Sequence, residues 1–197
     1  MLASFPPLYL AGGVTTARTG GSIAPYADLS LRDAITGGRA IGPDLDVTGP
    51  YIEGPGLGIM ELHAVADADA VERLVNYWAD TGVTSFKAYM MLNRAGLRRA
   101  IETAHRRGMK ITGHLCAVTY REAAAAGIDN LEHGFFVSTD FDTSKKPDVC
   151  PGQAAGMASM AKVDPNSAEF KSLIADLIAH HVARSEERRV GKECRSR

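Results

Sequence analysis

Between residues 68 and 134 the chain repeats one unit: a helical stretch, a glycine, then a short apolar run ending in a polar side chain. Val71, Leu74, Val75 and Trp78 recur at helical spacing, Asp67 and Asp69 sit where the helix N-terminus favours acid, and Gly82 follows. Leu97, Ile101 and Ala104 make the next stripe, with Arg98, Arg99, Glu102, Arg106 and Arg107 on the solvent side and Gly108 after it. Tyr120–Ala126 and Gly127 make the third. A glycine just past each helix is where a left-handed residue ends it. The runs Thr84–Met90, Lys110–Leu115 and Asp129–Gly134 are too short for buried helices and read as strands. Strand, helix, strand, helix, strand is the order of parallel βαβ units.

That order gives three side chains a shared position. Lys87, His114 and His133 each lie where a strand ends, and in parallel barrels functional side chains gather at the C-terminal strand ends. A lysine inside an apolar run must be neutralised, paired or modified. Neutral imidazole is a good ligand for zinc and similar ions. An ammonium has no lone pair to offer, but burial beside other positive charge lowers its pKa and frees the amine to react with carbon dioxide. The resulting carbamate is anionic and has two oxygens, enough to bridge two ions. Taken singly, each residue has a plainer reading: a satisfied core or loop histidine, or a lysine whose stem lies on apolar surface with its head in water. Their place on three consecutive strand ends favours a divalent-metal site.

Gly13-Val14-Thr15-Thr16-Ala17-Arg18, Gly82-Val83-Thr84-Ser85-Phe86-Lys87, Gly113-His114 and Gly127-Ile128-Asp129-Asn130-Leu131-Glu132-His133-Gly134 resemble the metal-dependent amidohydrolase superfamily. The likeness is strongest to its imidazolonepropionase-like and prolidase-like members and runs from about Leu8 to about Phe141. It implies an α/β fold, part of a TIM (β/α)8 barrel holding about strands two to six with their helices, not closed. Such barrels take about 250 residues, against 197 here. It implies a carbamylated Lys87 bridging two divalent ions, with zinc the expected metal, and His114 and His133 on the more exposed ion. A metal-activated hydroxide would then hydrolyse C–N bonds of amides, dipeptides or cyclic amides, with an aspartate on a later strand moving the proton.

The same family carries a His-x-His pair on an earlier strand, and this chain has none; its first histidine is His63. The expectation is therefore a fragment, inactive or nearly so, in which 1–183 form the partial barrel. An unclosed barrel would leave edge strands and an apolar inner face uncovered, making the chain prone to aggregate. Residues 184–197 are dense in charge without an apolar face and resemble a translated sequencing adaptor, so they are set aside as a non-native tail. Two other functions stay open: a Schiff-base lyase using Lys87, and a binding or structural fragment without catalysis.

Around the three strand ends, Tyr51, Glu53 and His63 lie in or near the loop that ends the strand Asp46–Ile52 and are candidates to line a substrate pocket, as is the glycine-rich turn Thr19–Ser22. Tyr120 and Arg121 offer a phenol and a guanidinium to a substrate carboxylate. Cys116, two residues past His114, is either a soft third ligand or a small interior residue. His180 and His181 close the helix Ser167–Val182, where imidazolium suits the dipole.

The 22 basic and 23 acidic residues leave a formal charge of −1, with basic groups scattered until the tail. That leaves no nucleic-acid or anionic-membrane footprint; the partner the resemblance implies is a small-molecule amide or peptide substrate. No apolar run approaches the roughly 20 residues of a membrane span, and no signal-peptide pattern opens the chain. The three cysteines are odd in number and form no CxxC pair, so no disulfide framework is expected.

Overall fold

The computed structural model describes residues 5–59 and 62–184. In chain order the elements are α1 (Phe5–Ala11), β1 (Thr16–Arg18), α2 (Pro25–Thr36), β2 (Asp44–Asp46), β3 (Thr48–Ile52), α3 (Ala68–Thr81) and β4 (Ser85–Ala88). They continue with α4 (Arg94–Arg106), β5 (Lys110–Gly113), α5 (Tyr120–Ala126), β6 (Asn130–Leu131), α6 (Gln153–Met160), α7 (Ala168–Ala179) and β7 (Ala183–Arg184). Every strand pair is parallel: β1 pairs with β2, and β3, β4, β5, β6 and β7 lie side by side in sequence order. The architecture is α/β with parallel sheets that do not close into a barrel. No helix among the described residues is long and apolar enough to cross a membrane.

The helix boundaries follow from local chemistry. Asp67 accepts from the Ala70 N–H at 2.7 Å and Asn93 from the Gly96 N–H at 2.8 Å. Thr119 and Glu122 form a reciprocal capping box at α5. Gly82 and Gly127 end α3 and α5 at φ 103° and 91°, a conformation that costs glycine little. Pro50 has no N–H for the ladder, and there β3 carries a register shift against β4 between Thr48 and Tyr51.

Strand alternation divides the five-stranded sheet into two chemically distinct faces. Ile52, Phe86, Ile111 and Leu131 pack with Val71 and Val75 of α3, Leu97 and Ile101 of α4 and Ala123 of α5 in one apolar core. The opposite face carries Ser85 and Lys87 of β4, with Lys87 beside Thr112 and Thr112 beside Asn130. Asn130 Nδ2 donates to Thr112 Oγ1 at 3.0 Å, and the Thr48 and Ser85 hydroxyls meet at 2.9 Å. The apolar inner face expected from sequence is thus a polar ladder, because only every second residue of these runs is apolar.

One further expectation is corrected. Cys116 and Cys150 form a disulfide, with Cα atoms 4.9 Å apart across 34 positions. An odd count says only that one cysteine is left over; Cys194 lies outside the described residues. The bond ties the segment after β5 to the long 135–160 stretch, which Thr139 and Lys145 also fasten by donating to the Cys116 and Ala117 carbonyls. Arg184, assigned to the tail from sequence, pairs with Leu131 in the sheet and lays its guanidinium 3.7 Å over the Phe135 ring. The remainder of that tail, 185–197, lies outside the described residues.

Candidate functional site

Lys87 is the third residue of β4 and is 3% exposed. Its ammonium pairs with Glu132 Oε2 and donates to the Gly20 carbonyl at 2.9 Å. Glu132 Oε1 in turn accepts from Arg18 Nη2 at 2.9 Å and from Thr112 Oγ1 at 3.1 Å, and Arg18 Nη1 donates to Thr48 Oγ1 at 3.1 Å. Burial pushes the Glu132 carboxyl up, but hydrogen bonds and charge from Lys87 and Arg18 outweigh it and hold the group below its ordinary value. Arg18 and Glu132 are 114 positions apart.

Neither residue was picked out individually from sequence. The signal for Glu132 was there: a buried lysine needs an anion, and Glu132 lies two residues from Asn130 on the same face of the neighbouring motif.

Gly21, at φ 99°, lets the backbone close over this pair. A Cβ there would come within 2.7 Å of the Tyr51 ring and 3.0 Å of Lys87 Cδ. The glycine-rich turn thus approaches the Lys87 side chain itself. Tyr51 lies beside Lys87 in the ladder, its ring centroid 5.3 Å from Nζ, and its hydroxyl donates to the Gly20 carbonyl at 3.4 Å. Burial raises the Tyr51 phenol, helped by Tyr89 and by the negative charge of Glu132.

His114 follows β5 and its backbone N–H extends the ladder to the Ala88 carbonyl at 3.1 Å. Its ring packs edge-on against Tyr89 at 4.9 Å and against His133 at 4.5 Å between centroids. His133 holds φ 62°, a left-handed conformation that a side chain with a Cβ resists, and Gly134 follows at φ 67°. That turn aims the chain out of β6. Lys87, His114, His133 and Tyr51 therefore meet, together with Arg18, Tyr89 and Glu132, around one open cavity of about 470 Å³.

Other candidates are placed elsewhere. Tyr120 is fully buried and its hydroxyl donates to the Gly134 carbonyl at 2.8 Å, so it props the turn after His133 from behind; burial raises its phenol well above the usual range. The Arg121 guanidinium reaches α7, pairing with Asp176 and donating to the Glu169 carbonyl at 3.1 Å. Both face away because α5 presents them to its neighbours after β6 and to α7.

Glu53 is 1% exposed; one oxygen accepts from the Gly54 and Met91 N–H groups at 2.7 Å each, tying the loop after β3 to the one after β4. Its other oxygen has no hydrogen-bond partner among the described residues, and burial raises its carboxyl, against the two backbone bonds. Cys116 is consumed by its disulfide and is no thiolate ligand. His63 borders a separate apolar pocket, and His180 and His181 are exposed past α7.

Among the described residues no three His, Cys, Asp or Glu side chains gather as a metal would require. The donor chemistry at hand is two adjacent imidazoles and one buried amine. It fits part of a divalent site, and Lys87 adds a donor only in a form other than the ammonium.

No family model and no curated protein matches the chain. Solved structures do. A Bifidobacterium longum protein assigned as a prolidase is 25% identical with a TM-score of 0.58, over 68% of this chain and 36% of that one. A Xaa-Pro dipeptidase with methionine bound in its active site is 20% identical with a TM-score of 0.55, over 88% and 54%. A bottromycin amidohydrolase is 19% identical with a TM-score of 0.58, over 89% and 52%. This chain spans from about a third to just over half of those structures' lengths. The parallel α/β fold is shared with these prolidase and amidohydrolase structures, and in fold as in its strand-end motifs the chain resembles the metal-dependent amidohydrolase superfamily.

Proposed function

We propose that the chain is part of a metal-dependent hydrolase of C–N bonds, its open sheet an arc of a (β/α)8 barrel. The observation that carries the reading is the meeting of two imidazoles and a buried lysine at the C-terminal ends of three neighbouring strands, where open α/β sheets hold their ligands.

His114 and His133 would hold a divalent ion, with zinc the best match to imidazole. Bound there, the ion supplies Lewis acidity toward a carbonyl and toward water. Lys87 would join them as a carbamate: the ammonium first gives one proton to solvent, the neutral amine forms an N–C bond to carbon dioxide, and a second proton leaves, so that two protons are released as the cation becomes an anion. This requires the pair with Glu132 to open. Arg18, already on the other Glu132 oxygen, then keeps that carboxylate paired. Tyr51 and Tyr89 wall the cavity and limit water around the amine. An amide or small peptide is the substrate class that suits this site, and the 197-residue chain itself is expected to show little turnover.

The test is zinc binding by the whole chain, with and without bicarbonate. The paired variant His114→Ala/His133→Ala is expected to bind zinc at least about 100-fold more weakly. A carbamate carbon signal from labelled bicarbonate should be present in the parent chain and absent in Lys87→Ala. Equal zinc affinity in parent and paired variant would refute the proposal.

A further inference from the structure

Next to the cavity that holds Lys87, Arg18 and Glu132 lies a second pocket of the same volume, about 470 Å³, which among the described residues shares only Tyr51 with it. Its walls include Ile23 before α2, Tyr26 at the start of α2, Pro50 and Tyr51 of β3, and Leu74 and Trp78 of α3. None of the described residues lining it is Asp, Glu, Lys or Arg. Tyr26 and Trp78 pack at a tilt of 52° with centroids 4.7 Å apart and Tyr77 meets Trp78 edge-on at 5.4 Å, which fixes the aromatic wall. Tyr51 is common to both cavities.

The pocket lies at the β3 edge of the five-stranded sheet, where a single bridge ties that edge to the turn before α2. It is built around β3, which has β4 as its ladder partner and a bridge from Pro50 to Ser22 on the other side. The register shift of β3 falls between Thr48 and Tyr51, where Pro50 and Tyr51 line the pocket, and Tyr51 also lines the neighbouring cavity. At its rim Ile23 and Tyr26 are 64% and 54% exposed, apolar surface that gains by being covered. The volume is that of a small-molecule site, and such sites are largely apolar with a few polar groups; the polar side chains among its lining residues are Ser22, whose hydroxyl donates to Asp28 at 2.6 Å, Tyr26, Tyr51, His63 and Trp78.

We infer that this pocket binds an apolar group, an aromatic or branched aliphatic side chain, of an amide ligand whose polar amide lies across Tyr51 in the neighbouring cavity. The inference rests on the hydrolase reading for the amide half alone; the apolar half stands on the pocket's own walls. Tyr51 divides the ligand into its two chemistries, and side-chain selectivity resides in Ile23, Tyr26, Leu74 and Trp78.

Trp78 is the sole tryptophan of the chain, so its emission reports on this pocket. The experiment titrates the full chain with N-acetyl-L-phenylalaninamide and with N-acetylglycinamide. The phenylalanine compound should change Trp78 emission saturably and bind about ten-fold or more tightly than the glycine compound, as burial of a large side chain requires. Ile23→Asp, on the exposed rim, should weaken the phenylalanine compound about ten-fold with an unchanged thermal midpoint. An unsaturable response, equal response to both compounds, or wild-type binding by Ile23→Asp overturns the inference. His114→Ala separates the two readings: it should lose zinc and keep the selectivity for the phenylalanine compound. If the parent chain binds no zinc and yet shows that selectivity, only the hydrolase reading falls.

Discussion

At the N-terminal ends of β5 and β6, Asp129 accepts from Lys110 Nζ at 2.7 Å, from His105 Nε2 at 2.9 Å and from the Ile111 N–H at 2.9 Å. Burial pushes this carboxyl up, but those bonds outweigh it and hold it below its usual value. At the C-terminal end of the sheet the Lys87 ammonium of β4 and the Glu132 carboxylate just past β6 are buried together, His133 is held left-handed, and just past β3 Glu53 keeps one oxygen without a hydrogen-bond partner among the described residues. One end is arranged to satisfy its polar groups; the other retains charge and backbone strain. In parallel α/β sheets, strain and buried charge persist where a ligand repays them.

The comparison predicts substitution effects of different size and sign. The largest is Glu132→Leu, which strands the Lys87 ammonium with the Gly20 carbonyl; breaking such a pair costs about 3 kcal/mol, read by urea unfolding. A loss under about 1 kcal/mol would mean the pair is looser than its burial implies. Next comes Asp129→Asn at the satisfied end, with a loss of about 1–2 kcal/mol, since the group is partly open to solvent.

The same variant has a pH signature. The folded Asp129 carboxyl lies below its unfolded value, so its contribution is present above the unfolded value of about 3.9 and is lost as pH falls through the folded one. Unfolding followed between neutral pH and strong acid should therefore give a flatter acid limb in Asp129→Asn than in the parent chain. His133→Gly reverses the sign: releasing the left-handed turn should stabilise by about 0.5–1 kcal/mol while zinc affinity falls. A destabilised glycine variant would show that the turn carries no strain. Smallest is Arg107→Gln, which removes a surface pair with Asp80 and should leave the thermal midpoint where it was.

The helices and strand ends were legible because they rest on local rules. Asp67, Gly82, Thr119 and Gly127 each act within one turn of the chain, and the meeting of Lys87, His114 and His133 follows from parallel order alone. What stayed hidden depends on distant partners. Arg18 reaches Glu132 from the separate two-stranded sheet, and Cys150 reaches Cys116 from an aperiodic stretch. Tyr120 and Arg121 looked like site residues because they follow a strand-end histidine closely. Their direction was set by what surrounds α5, Tyr120 by the turn after β6 and Arg121 by α7, and neither neighbour announces itself in the residues beside them. The polar ladder was readable, since Ser85 and Lys87, and Asn130 and Glu132, stand two apart.

The bond between Cys116 and Cys150 has a practical corollary. In a compartment that keeps thiols reduced it would not form, and the 135–150 stretch would hang from weaker ties such as Thr139 and Lys145. Preparations from reducing and oxidising hosts are then distinct species, alike in sequence and differing in mass by a pair of hydrogens, and only the oxidised one carries a covalent staple two residues downstream of His114.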